Sequence, residues 1–492
     1  MQEIRQIIKT LKKGEVRFVR KFYKVHGDSE AKKRLDLFNL VISNKVSTDL
    51  DAAAHLYNSK PNSAFSHLKT RLKEDVLNVI LLQDTSKKFE SQASQAEFDC
   101  KRLYIKGDLL LSRGAHLPGI KLLKKAAKLA DKFKLTINQV LIEDLLRDHL
   151  GSVNGISHYK KYQKNIHENI RLYEQEIKAK EYFNHLILPN LFSVNKSEGS
   201  GGFGVGVINK LHNLYRSTGS AMIHYWFLRT ASNYYLISKN YQKALGYVDE
   251  LINLLDKEPT VDSASKRAEA YLLSAYILVY LKQHHKAIEQ IEKARNSSKA
   301  NLLKDLNSIE LLFYAYMHLR EYRKADEALK RGIKHPGNDM NEFYKAKWIY
   351  YKANLQFAQT NYLQSIATLN PSTVLLKDKA GWLIGYKMLE ILNFIEMKNY
   401  DFVDYRLDNL RKLLQRLKEQ DLTRIKSIFH ILDQLSKHNY NYEKVRKKNE
   451  GRIKLLAQNT KDYGRDMFGY EIICFEDWLN AKRDYVVFPS FD

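Results

Sequence analysis

The sequence predicts an all-α chain: an α-solenoid of stacked helical hairpins, preceded by a small N-terminal helical domain and followed by an aromatic C-terminal tail. Three observations carry that reading. Only 7 prolines and 21 glycines occur in 492 residues rich in Leu, Lys, Ala, Glu and Ile, which favours helix over sheet. Apolar residues make up 44% and aromatic ones 11%, enough to fill a core in a chain too long for one ordinary domain. Beyond residue 208 one short phrase recurs as SKNYQKAL, LREYRKAD and MKNYDFVD.

Residues 1–98 form the expected N-terminal domain. Residues 1–26 are basic and amphipathic, with Ile4, Ile7, Ile8, Leu11, Val16, Phe18, Val19 and Phe22 as apolar members, and read as a capping helix. Three helices follow: Glu30–Ile42, Asp49–Tyr57, and one that starts near Asn62 after the turn NSKPNS. The last places Phe65, Leu68, Leu72, Val76, Val79 and Ile80 on one face and His67, Lys69, Arg71 and Lys73 on the other. This trihelical unit loosely resembles the helix-turn-helix of bacterial regulators. The resemblance implies phosphate contacts from Lys69, Arg71 and Lys73.

Residues 99–192 hold the first hairpins. In 103–133, Gly107 stands where helix packing wants a small residue, Arg113-Gly114 turns the chain, and Gly119 opens the second face with Leu123 and Ala126. A weaker hairpin spans 138–182, interrupted around Leu150, Gly151 and Gly155. The stretch 193–207, SVNKSEGSGGFGVGV, reads as a glycine-rich loop. Its G-x-G-x-F-G core imitates the phosphate loop of protein kinases, but the flanks are helical and no HRD or DFG follows.

Residues 208–420 form the regular array. Tyr235 ends one helical face, Lys239 and Asn240 turn the chain, and Tyr241, Ala244, Val248 and Leu251 build the second face before Pro259. The same pair of an aromatic ring and a smaller residue recurs as His284/Ala287, Tyr322/Ala325, Tyr362/Ser365 and Tyr400/Val403. The ring plugs the hairpin and the small residue lets its helices approach; neither hairpin face can be buried alone, so neighbours must stack. Over residues 100–420 the chain resembles the tetratricopeptide repeat. It departs in its longer period and in Ser365 and Val403, where that repeat has alanine. The resemblance implies a curved array whose inner face belongs to the first helix of each pair. Polar first-helix positions Asn233, Lys239, Arg267, Tyr271, Lys345 and Tyr350 are therefore the expected partner-binding residues.

Residues 421–492 are read as capping helices and tail. Leu407, Leu410, Leu414 and Leu417, then Ile425, Ile428, Phe429 and Leu432, recur at helical spacing. NYNYEKVRKKNEGRIK reads as a basic linker or helix. The final stretch carries Tyr463, Phe468, Tyr470, Phe475, Trp478, Tyr485, Phe488 and Phe491 and alone looks partly β. It is expected to fold back and seal the array, or to lie in the concave groove as a mimic of the partner.

No HExxH, CxxC, GxSxG or P-loop occurs, and His284-His285 sits at a hairpin turn, where one ring replaces the tyrosine plug. An enzyme is not expected, nor a cofactor or metal. Cys100 and Cys474 lie far apart, which suits a reducing cytoplasm. The N-terminal stretch lacks the apolar run of a secretory signal, and no window has the character of a membrane span. The function expected is a scaffold or adaptor that grips a peptide or helix of another protein, as part of a larger complex. The net charge of +25 makes an acidic protein one option for that partner. The competing reading is a nucleic-acid-associated regulator that uses the basic N-terminal domain.

Overall fold

The computed structural model describes the chain except residues 12, 26–28, 83–90, 193–200, 298–301, 336–341, 370–380, 418–421, 459–462, 464, 466–468 and 483–492. All regular structure among the described residues is helical, in 24 helices. The chain divides into two compact units, Met1–Phe89 and Glu90–Asp492.

The first unit holds α1 (Gln2–Thr10), α2 (Lys13–Val25), α3 (Ser29–Ile42), α4 (Asp49–Tyr57) and α5 (Ser63–Leu82). It is a five-helix bundle and not a trihelical unit with a cap. Ile4, Ile8, Val19 and Tyr23 from α1 and α2 share one core with Leu37, Phe38, Phe65, Leu72 and Val76. Thr48 caps α4 by accepting the Asp51 amide at 3.1 Å, and the Asp51 carboxylate accepts the Thr48 amide at 3.1 Å. Across the bundle Asp75 accepts from the Tyr23 hydroxyl at 2.7 Å and pairs with Arg34 at 2.9 Å.

The second unit opens with α6 (Gln92–Ser112), α7 (His116–Lys132), α8 (Thr136–Asn154) and α9 (Ile156–Phe192). Gly107 and Gly119 let α6 and α7 cross closely: a Cβ at Gly119 would lie 3.0 Å from the Gly107 carbonyl and 2.9 Å from Leu111. The expected interruption at Leu150 and Gly151 is absent, since both lie inside α8. The break falls at Gly155, whose φ of +85° suits glycine.

The expected glycine-rich loop is corrected in part. Residues 193–200 lie outside the described residues, but Gly201 to Val207 open α10 (Gly201–Thr218). Close approach explains it: any Cβ at Gly204 would collide with the ring of Tyr234 on α11 (Ala221–Ile237), so glycine serves packing there instead of flexibility.

The series continues with α12 (Tyr241–Lys257), α13 (Ala264–Tyr280), α14 (His284–Ser297), α15 (Leu302–His318), α16 (Tyr322–Ile333), α17 (Glu342–Ala358), α18 (Tyr362–Thr368), α19 (Trp382–Glu396), α20 (Tyr400–Arg416), α21 (Thr423–Lys437), α22 (Tyr442–Lys448), α23 (Glu450–Gln458) and α24 (Phe475–Ala481). From α11 to α22 successive helices pair as hairpins joined by one repeated turn. Its third-last residue before the second helix's second position is left-handed: Lys239, Lys282, Arg320, Thr360, Lys398 and Tyr440 all have φ between 57° and 62°. After the first five of these, the next amide bonds back to the carbonyl five residues earlier, as in Asn240 to Tyr235 at 2.8 Å and Gln283 to Leu278 at 2.8 Å; at the last turn the Tyr440 amide itself does so, to Leu435 at 2.8 Å. This is the Schellman closure, which satisfies carbonyls the helix end would otherwise strand.

Five residues after each left-handed position comes the smaller residue that allows the crossing. Ala244, Ala287, Ala325, Ser365, Val403 and Val445 are all fully buried. Ser365 replaces alanine at a profit in bonding: its hydroxyl donates to the Ala353 carbonyl at 2.8 Å and accepts from Asn393 at 3.0 Å. Tyr442 and Val445 extend the pattern beyond residue 420. Helix α21 with α22 is thus one more hairpin, where a terminal capping pair was expected, and the segment read as a basic linker or helix is helical in α22 and α23.

The ring at the turn also acts differently from expectation. It stacks on the next hairpin: Tyr241 on Tyr280 at 4.7 Å, His284 on His318 at 5.1 Å. These contacts join neighbours along one edge, in addition to the shared core that runs from Ala268 to Leu479.

Candidate functional site: the first-helix face

Counting back from each left-handed turn residue, positions two, six, ten and thirteen earlier share one face of the first helix. On α15 this face carries His318, Tyr314 and Glu310; on α17, Asn354, Tyr350 and Lys347; on α19, Glu396, Leu392, Met388 and Gly385.

The C-terminal segment lies across it. The Tyr314 hydroxyl donates to the Gly469 carbonyl at 3.2 Å, and the Tyr350 hydroxyl to the Tyr470 carbonyl at 2.6 Å. Gly385 is needed beneath them: a Cβ there would sit 2.6 Å from the Tyr470 Cβ. Upstream, the Arg465 guanidinium lies 3.2 Å from His318 Nε2. Downstream, Trp478 Nε1 donates to Glu396 at 2.5 Å, and Lys482 pairs with the other Glu396 oxygen at 2.6 Å. A cavity of about 20 Å³, large enough for one water, remains between Tyr350, Asn354, Leu392 and Tyr470–Ile473.

The strongest anchor is Arg424 on α21. It grips Glu471 in bidentate fashion, Nη2 to Oε1 at 2.6 Å and Nε to Oε2 at 2.7 Å, and reaches Glu476 at 2.7 Å. Its remaining nitrogen donates to the carbonyls of Leu456 at 3.2 Å and Tyr463 at 3.0 Å. Burial opposes the charge on Arg424, and the two carboxylates more than offset it, so its pKa is raised. Burial likewise raises the Tyr350 phenol, keeping it a neutral donor.

Turn, ring, small residue and inner face together define the unit. The hairpins are tetratricopeptide-like. No family model matches the chain, and no curated protein matches its sequence. Among solved structures, the apo form of RapI is similar over 75% of this chain and 99% of that one, with 13% identity and a TM-score of 0.45. A signal transduction ATPase with numerous domains from Pyrococcus horikoshii, which carries a tetratricopeptide repeat sensor, is similar over 85% of this chain and 55% of that one, with 14% identity and a TM-score of 0.36.

Earlier in the array the same face is polar and aromatic. Arg229 on α11 pairs with Glu269 on α13 at 2.8 Å, donates to the Tyr225 hydroxyl at 3.0 Å, and lies 4.7 Å from the Phe183 ring centre. Glu310 and Lys347 repeat that pairing two hairpin boundaries later with the signs exchanged, at 2.6 Å. Lys266 donates to the Val261 carbonyl at 2.9 Å beside the Tyr225 ring. Burial first, then the charge of Arg229, lowers its pKa.

Of the residues expected to bind a partner, Asn233 and Tyr350 lie on this face. Asn233 donates to the Arg229 carbonyl at 2.8 Å, and Tyr350 is occupied by the tail. Lys239 is the left-handed turn residue itself. Arg267 turns toward the preceding connection, pairing with Asp256 at 3.0 Å and Asp262 at 2.5 Å. Tyr271 lies in the field of the same Asp256 and Arg267, and Lys345 pairs with Glu342 at 3.3 Å. These three miss the face by one or two residues of helical phase, each residue being a rotation of about 100°. Sequence reasoning missed Tyr314, Glu396, Arg424, Arg229 and Glu269. A constant offset from the Lys-Asn turn would have found four of them, though not Arg424.

The residues expected to meet phosphates are already engaged. Lys69 pairs with Asp49 at 2.8 Å, Lys73 with Glu3 at 2.9 Å, and Arg71 with Glu30. The tail holds no strand among its described residues; Tyr485, Phe488 and Phe491 lie outside them. No cluster of three or more His, Cys, Asp or Glu side chains suited to a metal occurs among the described residues. No helix there is long and apolar enough to cross a membrane.

Proposed function

We propose that this chain is a protein-interaction module, a cytoplasmic scaffold or adaptor without chemistry of its own, that holds an extended segment of a partner protein on its first-helix face. The observation that carries this is the placement of residues 469–482, a peptide already lying on that face. Tyr314 and Tyr350 address its backbone carbonyls, so the same donors serve any extended peptide, while Arg424 and Glu396 select its side chains. The stretch offered to a partner is on α11 and α13, where the half-buried Arg229, Glu269, Trp226 and Asn233 combine charge with aromatic surface. Such residues supply most of the energy in protein interfaces.

The test is affinity capture from native lysate, with and without nuclease, using the full chain, Asn233→Arg, and an outer-face control, Lys286→Ala. The reading expects one protein retained after nuclease, lost with Asn233→Arg and kept with the control. A partner released by nuclease, or held equally by all three chains, would overturn it.

A further inference from the structure

Helix α7 carries a row of five lysines along its outer face. Its inner face, Gly119, Leu123, Ala126 and Ala130, is buried. Its outer face presents Lys121, Lys124, Lys125, Lys128 and Lys132, all exposed, and the one acid of the helix, Asp131, pairs with Lys134 at 3.1 Å. Among the second helices, α12, α16 and α20 mix or pair their charges, while the short α22 carries Lys444, Arg446, Lys447 and Lys448 against Glu443. Helix α12 has two lysines and three acids; α16 pairs Lys324 with Glu321 at 2.8 Å and Lys330 with Asp326 at 2.6 Å; α20 pairs Arg411 and Lys412 with Asp408. An ordinary solvated face in this chain mixes signs. On α7 like charges recur at three- and four-residue spacing, which destabilises a helix with nothing bound.

We propose that the outer face of α7 binds the phosphate backbone of duplex DNA without reading its sequence. Protein interfaces are poor in lysine and rely on aromatic anchors; the ring bordering this row, Phe133, 5.4 Å from Lys132, is already buried in the core. Single strands are held by stacking on aromatic rings, and base edges are read by Arg, Asn and Gln; neither kind of group lies among these lysines. A line of point charges suffices for phosphates. From Lys121 to Lys132 the row spans about 16 Å at a helical rise of 1.5 Å per residue, a length that meets several phosphates. The B-form major groove is wide enough for a helix to approach its bordering phosphates, whereas the A-form groove is deep and narrow. This surface belongs to second helices, so its failure leaves the first-helix reading untouched.

The experiment is fluorescence anisotropy of the full chain with a labelled 20-base-pair DNA duplex of random sequence, titrated at several salt concentrations between about 50 and 200 mM. Log affinity should fall with log salt at a slope of roughly −3.5 to −4.5, for four or five phosphates at about 0.9 each. Lys124→Gln with Lys128→Gln should reduce that slope by about two and weaken binding more than tenfold at 0.1 M salt. Lys286→Gln with Lys293→Gln on α14, which removes the same charge, should change neither. Circular dichroism confirms that each variant is folded. The proposal is overturned by no saturable binding at the lowest salt, by equal losses in the two variants, or by tighter binding of a single strand or an RNA duplex.

Discussion

Gly332, at the end of α16, carries a constraint that no propensity scale would assign to it. A Cβ there would run into the benzo ring of Trp348, and that ring has nowhere to go: it packs edge-on against Phe313 at 6.3 Å and Tyr351 at 5.3 Å. Gly332→Ala should therefore lose about 1–3 kcal/mol, read as a lower thermal midpoint, although alanine is the better helix former. An unchanged or raised midpoint would mean that the indole can shift and that the crossing is loose. The left-handed turn residues show the opposite case. Lys239, Lys282, Arg320 and Lys398 hold a conformation that glycine would take more easily. Because side chains with no preference for that conformation occupy it, the sequence displays the turn only through its polarity and through the ring that follows two residues later.

At the scale of the element, the tail and the first-helix face meet at a titratable contact. His318 on α15 is half-buried between His284 and Arg465, with Lys282 in the same field. Burial, then the charges of Arg465, His284 and Lys282, hold its pKa well below the ordinary value, and burial does the same for His284. Unfolded, both imidazoles take a proton near pH 6.5; folded, they do so only at lower pH. The unfolded state then binds more protons in that window, so stability is complete above about pH 6.5 and declines as pH falls through it. Thermal midpoints should drop between about pH 7.5 and 5.5, and His318→Phe, which keeps a ring and cannot take a proton, should flatten the decline. The same slope in both proteins would place the effect elsewhere. The helices and their pairing were legible before any coordinates because apolar spacing and the recurring turn both depend on local chemistry. The face was legible only in part. Asn233 and Tyr350 lie on that face, whereas Arg267, Tyr271 and Lys345, which polarity alone singles out, lie one or two residues out of its phase. Arg424 was invisible, since its partners Glu471 and Glu476 lie far along the chain and only folding joins them.

For the whole molecule, two compact units with separate cores imply two separable unfolding events. The first unit is closed by Asp75, which serves both the Tyr23 hydroxyl and Arg34; the second by hairpins whose cores merge from one to the next. Asp75→Ala leaves a half-buried hydroxyl and a guanidinium without their shared acceptor, at a cost of about 1–3 kcal/mol. Stacked hairpins share stability mainly with their neighbours, so Gly332→Ala should act on the array and leave the bundle alone. Calorimetry of the full chain should resolve two transitions, with Asp75→Ala lowering one and Gly332→Ala the other, and the double variant lowering each by its own single effect. A single transition that moves with either substitution would join the units into one cooperative body.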